Sequence, residues 1–373
     1  SHLEQLLFWF NTLDPDGAGV FGGGFLGLDN IGVFNRDSPL PTGGRLVQVD
    51  GTAWMAATTL HVLEIIAFLS ITDPNLLPQF QRLLLNFAMI AHNLEEGTPT
   101  ESLWSEELGF YRDVIVTDTE TVPLDVISIE GIVPLFATTA INRDLARPAD
   151  LLNSTVAEFA ADYPWLAPLL RRAGGDGTHR LVGVVGAERL VRILERVCDP
   201  QFLLGEFGVR SMSKSYAHSP FTFDVDGTSH TISYWPGESQ DRMFGGNSNW
   251  RGPIWFPMNL MLIQSLWAMH RFYGDELMVE HPVGSGYMCT LGEVATDLSS
   301  RLVNLFLPDE HGRRPVFGTN DLMATDPFWK DLIPFHEYFH GDTGHGLGAS
   351  HQTGWTATVA LLIQCLGDPR AGD

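Results

Sequence analysis

Apolar residues recur at three- and four-residue spacing over 53–69, 79–94, 187–198, 257–273, 291–307 and 353–366, which predicts a helix over each stretch. Weaker patterns of the same period run over 130–139 and 148–159. Alternation of period two is confined to short pieces, 221–226 with 231–235. The expected fold is therefore all-α or nearly so. Between the helices run long loops rich in Gly, Pro, Asn, Asp and Trp, over 14–51, 97–125, 205–256 and 308–327. Structureless loops of that length inside a compact domain are usually functional. No low-complexity linker divides the chain, so the pattern predicts one helical domain over residues 1–373 with its chemistry on the loops of one end.

Composition narrows the partners. Hydrophobic residues make up 44% of the chain and charged residues 18%, enough to build a large core and too apolar for a disordered chain. The 45 acidic residues outweigh the 22 basic ones, and a net charge of -23 repels nucleic acid phosphates and anionic lipid alike. Cys198, Cys289 and Cys365 lie far apart without C-x-x-C spacing, so the plain expectation is reduced thiols in a cytoplasmic protein. No stretch of 18 or more uncharged apolar residues predicts a membrane span. The opening SHLEQLLFWFNTLD lacks a basic n-region and a small-residue cleavage site, so it does not read as a signal peptide. It begins inside an apolar helix-like run without an initiator Met, and the chain reads as an N-terminal truncation of something longer.

Two patterns suggest a metal and lose to plainer readings. HEYFH, residues 336–340, spells H-E-x-x-H, in which two histidines one helical turn apart hold zinc. That geometry needs a sustained helix, and Pro334 upstream and Gly341 downstream leave at most about two turns. The third histidine of the extended pattern would stand six residues after His340, where Gly346 is found; His345 is one short. DVDG at 224–227 resembles the opening of a calcium loop, but the Glu required at its twelfth position is Trp235. A tight turn between two strands explains it better. No metal and no cofactor is expected.

Without a metal, Glu337 is left among aromatic residues and glycines: Phe335, Tyr338, Phe339, Gly341, Gly344, Gly346, Gly348 and Trp355. Aromatic faces bind the C–H surfaces of sugars, planar polar side chains bind their hydroxyls, and glycines let backbone approach closely. GGNSNWRGPIWFPMN at 245–259 repeats that profile with Trp250, Arg251, Trp255, Asn247, Asn249 and Asn259. So does SLWSEELGFYRD at 102–113, with Trp104, Glu106, Phe110, Tyr111 and Asp113. A single tryptophan is more often core than platform, but three such clusters together point to a small carbohydrate. Glycosidic cleavage needs a second carboxyl, protonated, while the first activates water. Asp29, beside Asn30 in a glycine-rich loop, and Asp50, just before a predicted helix, are the candidates. Asp50 has the position of an N-cap as well as that of a substrate contact, and Asp29 is the preferred acid.

These residues resemble glycoside hydrolase family 63 and, more distantly, trehalase-type hydrolases. The resemblance is nearest to large bacterial proteins of the group, including relatives of mannosylglycerate and glucosylglycerate hydrolases. It runs from GGFLGLDNIGVFNRDSPLPTGG through LWSEELGFYRD and FGGNSNWRGPIWFPMN to HEYFHGDTGHGLGASHQTGW. It implies an (α/α)6 barrel and hydrolysis of α-linked glucosides or mannosides with inversion. The family's acid lies in a G-x-D-N loop, which falls on Gly27, Leu28, Asp29 and Asn30, with Phe25 and Leu26 where Glu-Ser is usual. Its base is the Glu of E-x-[YF], which falls on Glu337 ahead of Gly354, Trp355 and Thr356. The W-R-G-P-I-W loop, Trp250 to Trp255, lines the family's sugar site. Such barrels use twelve helices where eight or nine are legible here, and an upstream W-D motif has no counterpart. The implied barrel is the C-terminal two-thirds of a family member, incomplete at its N-terminus, and the alternative to an enzyme is a carbohydrate-binding remnant.

Overall fold

The helix α1 (His2–Leu13) precedes two long apolar helices, α2 (Val49–Leu69) and α3 (Leu77–Glu96). They are followed by α4 (Ala187–Val197), α5 (Phe256–Tyr273), α6 (Leu291–Asn304), the short α7 (Asp321–Thr325) and α8 (Val359–Gly367). This computed structural model describes residues 2–13, 19–22, 27–70, 72–97, 102–142, 154–155, 179–351 and 354–367. The helix expected over 148–159 therefore lies outside the described residues except at 154–155, as do Phe25 and Leu26 of the acid loop.

Local chemistry sets the ends of these helices. Pro78 and Pro257 stand in the first turns of α3 and α5, where a missing N–H costs nothing. At α6 the Thr290 hydroxyl accepts from the Glu293 N–H, and the Glu293 carboxylate accepts from the Thr290 N–H, a reciprocal capping box. The N-cap of α2 is Gln48, which makes no side-chain cap bond; the first amide of the helix, Val49 N–H, donates instead to Asp113 from another segment, at 2.8 Å. Asp50 lies one residue inside the helix, so the N-cap reading of Asp50 is corrected.

The stretch expected as a weak helix over 130–139 divides. Ile129–Phe136 is a 3-10 helix capped by Ser128, and Thr138–Asn142 is a strand paired antiparallel with His179–Gly183. Pro134 inside this stretch removes an α-helical donor, which favours the tighter turn. The helices α3, α2, Ile129–Phe136, α5, α6 and α8 pack each against the next, and the buried core runs along this row.

The all-α expectation is corrected in the loops. Arg45–Val47, Asp113–Val116 and Thr121–Leu124 form a three-stranded antiparallel sheet, and six two-stranded ladders accompany it among the described residues. Most of these strands are two to five residues long, too short to leave a periodic signature. The 221–232 hairpin is as expected: Phe221–Val225 pairs with Thr228–Ile232 across a two-residue turn in which Asp226 and Gly227 both have positive φ.

The segments that lead into the helical elements are laced edge to edge. Ser128 bridges to Met212, Arg210 to Ile254, and Ile254 in turn to Phe339. Ile254 and Phe339 exchange N–H to carbonyl bonds of 2.8 and 3.0 Å. Close approach requires glycine here, since a Cβ on Gly341 would stand 2.4 Å from the Gly252 carbonyl oxygen.

By length and composition α2 is apolar enough to cross a bilayer, which the sequence expectation had not allowed; its most apolar window has mean hydropathy 1.5. It is nonetheless a core helix along one side, with Val49, Ala53, Ala56, Leu60, Leu63 and Ala67 among its buried residues and α3 and Ile129–Phe136 packed against it, while Thr58, His61 and Ile65 are exposed. Its first turn carries the most charged part of the interior. Arg36 pairs with both oxygens of Asp50 and lies 3.1 Å from Glu130 and 3.8 Å from Asp113, all four side chains being buried. The three carboxylates converge as metal ligands would, but the Arg36 guanidinium stands among them and supplies the positive charge.

Three acids against one cation cannot all stay ionised out of water. Burial is the main cause that pushes Asp113 up to about 7 and Glu130 well above the carboxylate range, and each carboxylate raises its neighbour further. The folded chain thus holds the Asp113 proton more tightly than the unfolded chain, so the associated stability is full at acid pH and lost as pH rises through about 7. His336, His340 and His345, lowered chiefly by burial, add an opposite trend. A comparison of variants separates the two. Asp113→Asn keeps an acceptor for Val49, and its melting temperature relative to wild type should climb between about pH 5 and pH 8; a constant difference would contradict the assignment.

Candidate active site

Asp29 and Glu337 reach one another's neighbourhood through two loops and a stack of rings. The loop after Gly27 carries Asp29 and Asn30. Asn30 is fully buried: its amide donates to Asn249 Oδ1 at 3.1 Å, and its side-chain oxygen accepts the Trp250 N–H at 2.7 Å. Arg251 completes the seam, donating from Nε to the Asn30 carbonyl at 2.7 Å and from a terminal nitrogen to the Gly32 carbonyl at 3.0 Å. Asp29 itself remains partly exposed and accepts from the Ser248 hydroxyl through Oδ2.

From Trp250 the ring stack continues to the other carboxylate. Trp250 lies flat on Trp255, centroids 3.9 Å apart and planes 5° from parallel, and Trp255 lies on Tyr338 at 4.6 Å and 22°. Trp355 meets Trp255 edge-on and donates from its indole nitrogen to the Glu337 carbonyl at 3.0 Å. Glu337, partly exposed, accepts the Ala349 N–H on Oε2 at 3.1 Å. Gly348 admits this arrangement, with φ of +62° and a would-be Cβ 2.6 Å from both Glu337 Oε2 and the Tyr338 ring.

Glu238 is a third carboxylate that the sequence reading missed. Exposed on the loop after Pro236, it accepts the Tyr338 hydroxyl and, at 3.5 Å, the Gly348 N–H. No periodicity or motif marks it; the signal available was a Glu directly after Pro-Gly, 12 residues ahead of Trp250 in the W-R-G-P-I-W loop. Burial pushes the Tyr338 phenol above its ordinary range. The Glu238 hydrogen bond and the charges of Glu238, Glu337 and Asp29 push it further. All three carboxylates therefore act on one phenol.

Several expected sugar contacts have structural work instead. Trp250, Trp255 and Tyr338 are buried against one another, with no open face to serve as platforms. Arg251 is buried over the Trp235 ring and bound to backbone. Asn259 is buried in the first turn of α5, where it accepts from the Val209 N–H and donates to the carbonyls of Val209 and Trp255. Asp50 is fully buried on Arg36 and has no surface to offer a ligand. Trp104 is covered by the guanidiniums of Arg189 and Arg192, and Glu106 accepts from Arg192 and from the Trp104 indole. That pair serves to dock α4. Trp355 alone of the expected aromatic contacts stays half-exposed beside Glu337.

HEYFH is not helical. Tyr338–Phe339 is a strand paired with Gly346–Leu347, so His336 and His340 do not share a helix face as zincin geometry demands. His340 stacks on His345 at 4.8 Å, and its Nδ1 faces the Asp342 and Thr343 amides in the hairpin turn.

Asp29, Glu238 and Glu337 thus reach solvent from loops that buried amides and stacked indoles hold in place. The chain belongs to glycosyl hydrolase family 63: the family model described as "Glycosyl hydrolase family 63 C-terminal domain" matches residues 37–283. That span contains the W-R-G-P-I-W loop, while Asp29 and Glu337 lie outside it. The chain is 40% identical over 384 aligned residues, 98% of its own length, to the uncharacterized Saccharomyces cerevisiae protein YMR196W, of which it spans 35%. It is 23% identical over 179 residues to the mannosyl-oligosaccharide glucosidase of Saccharomyces cerevisiae, covering 47% of this chain and 15% of that one. A solved structure of the family 63 mannosylglycerate hydrolase from Thermus thermophilus, in complex with glucose, aligns with 86% of this chain and 48% of its own, at 19% identity and a TM-score of 0.39.

The seam makes a direct prediction. Asn30→Ala leaves the Trp250 N–H without its buried acceptor and should lower stability by about 1–3 kcal/mol, read as a drop in the denaturation midpoint. Glu310→Ala, at an exposed turn away from the seam, should leave the midpoint nearly unchanged. A midpoint unmoved by Asn30→Ala would show that Asn30 does not hold the loops together.

Proposed function

We propose that this chain carries the catalytic loops of an inverting α-glycosidase acting on an α-glucoside or α-mannoside, with Asp29 as general acid and Glu337 as general base. The observation that supports the reading is that Asp29 and Glu337, distant in sequence, sit at the two ends of one connected seam, which runs from Asn30 to Trp250, Trp255 and Tyr338. Membership of family 63 supports a glycoside hydrolase. The row of packed helices fits the (α/α)6 barrel expected of that family, with the site on the loops at one end.

In this reaction Asp29 gives its proton to the glycosidic oxygen as the bond to the anomeric carbon breaks. Glu337 takes a proton from water attacking the opposite face of the ring, and the anomeric configuration inverts. Room for that water requires the two carboxyls to stand about 6.5–9.5 Å apart. Ser248 donates to Oδ2 of Asp29 and leaves Oδ1 for the leaving group. The Ala349 amide likewise fixes Oε2 of Glu337 and leaves Oε1 for the water. Trp355 then borders the sugar. The rings of Trp250, Trp255 and Tyr338 hold the site without touching its ligand.

Glu337→Gln, nearly isosteric, should depress kcat toward a panel of α-glucosides and α-mannosides by about 10²–10⁴-fold and leave sugar binding measurable. Unchanged turnover would end the proposal. Sugar binding without turnover in the wild type would favour a carbohydrate-binding remnant.

A further inference from the structure

Behind the 338–347 hairpin lies a cavity of about 850 Å³, lined by none of the three carboxylates of the candidate site. Its walls have an unusual charge for this chain. Acidic residues outnumber basic ones by 45 to 22 over the whole sequence, yet the cavity lining includes Arg313, Arg314, His336, His340 and His345 against one acid, Asp309.

The partners of these groups narrow the chemistry. Asp309 faces the 309–313 turn, where Oδ1 accepts from the His311 and Arg313 amides. Arg313 is bound to Asp321 and to the Gly318 carbonyl. Arg314 is different: it is half-buried, it donates to the Phe306 carbonyl, and among the described residues it has no carboxylate partner. A guanidinium carries five donors, and the Phe306 carbonyl takes one of those of Arg314. His336 lines the same cavity, half-buried and hydrogen-bonded to the Leu347 backbone. Phe207, Phe317, Met323 and Trp329 make the apolar part of the remaining wall, alongside the polar Thr319, Asn320, Thr343 and Ser350.

We propose that this cavity is a second binding site, for a small organic oxyanion whose charged head is held by Arg314 and the histidines and whose apolar body lies against Phe317 and Trp329. Burial holds His336, His340 and His345 below the ordinary histidine range, so at neutral pH they act as uncharged hydrogen-bonding groups. Arg314 provides the charge. The shared ligand chemistry is a phosphate monoester or a carboxylate on a ring or short chain.

Titration calorimetry on the intact protein tests this with phenyl phosphate, benzoate, inorganic phosphate and neutral benzyl alcohol. Phenyl phosphate or benzoate should saturate one site, whichever binds tighter identifying the head group. Inorganic phosphate should bind more weakly and benzyl alcohol not at all. Arg314→Ala should weaken binding about tenfold or more, and His345→Ala should weaken it with the melting curve preserved. Arg45→Ala, an exposed cation on a strand elsewhere, and Glu337→Gln should leave it unchanged, so that failure of the proposed hydrolysis does not touch this result. No saturable binding to the folded wild type would overturn the proposal, whatever the variants do. So would binding indifferent to both Arg314→Ala and His345→Ala, or benzyl alcohol binding as tightly as the anions.

Discussion

Three rings stacked face to face, Trp250 on Trp255 and Trp255 on Tyr338, hold the candidate site together. Trp250 belongs to the loop sewn to Asp29 by Asn30, and Tyr338 is the neighbour of Glu337, so the stack spans between the two carboxylates. Each such pair contributes about 0.5–1.5 kcal/mol beyond the burial of its area. Its greater effect is geometric, because buried flat rings cannot slide past one another without opening a void. The backbone bridge between Ile254 and Phe339 pins the same two segments a few ångströms away.

The core helices were legible because burial on one side imposes a period, and α2, α3, α4, α5 and α6 each stand within a few residues of the predicted stretch. Pro134 and the two-residue strands escaped because a turn or a bridge that short leaves no repeating pattern. At the candidate site, Asp29, Asn30 and Glu337 stand out in the sequence by their glycine-rich settings and by the family resemblance. The tryptophans were recognised and misassigned. An indole followed by Arg-Gly-Pro-Ile-Trp reads the same whether it faces a sugar or another indole, and only packing distinguishes them. Glu238 went unnoticed because its role comes from Tyr338 and Gly348, a hundred residues onward.

Charge is handled in two ways in this acidic molecule. At the start of α2 excess carboxylates are buried around Arg36, and the surplus is relieved by protonation rather than by a second cation. At the rim, Asp29, Glu238 and Glu337 keep contact with solvent, and single donors such as Ser248 and the Ala349 amide orient them. A carboxylate meant to exchange protons must reach water, whereas one that anchors a helix need not. Asp50, in the first turn of α2, is fully buried, whereas Asp29, in its loop, is partly exposed.

The most direct measurement is proton NMR of the anomer first released from an α-glucoside or α-mannoside, recorded before mutarotation. Two carboxylates with a water between them should deliver the β anomer. Release of the α anomer would mean that one of the carboxylates attacks the sugar itself, and would contradict the geometry proposed for Asp29 and Glu337.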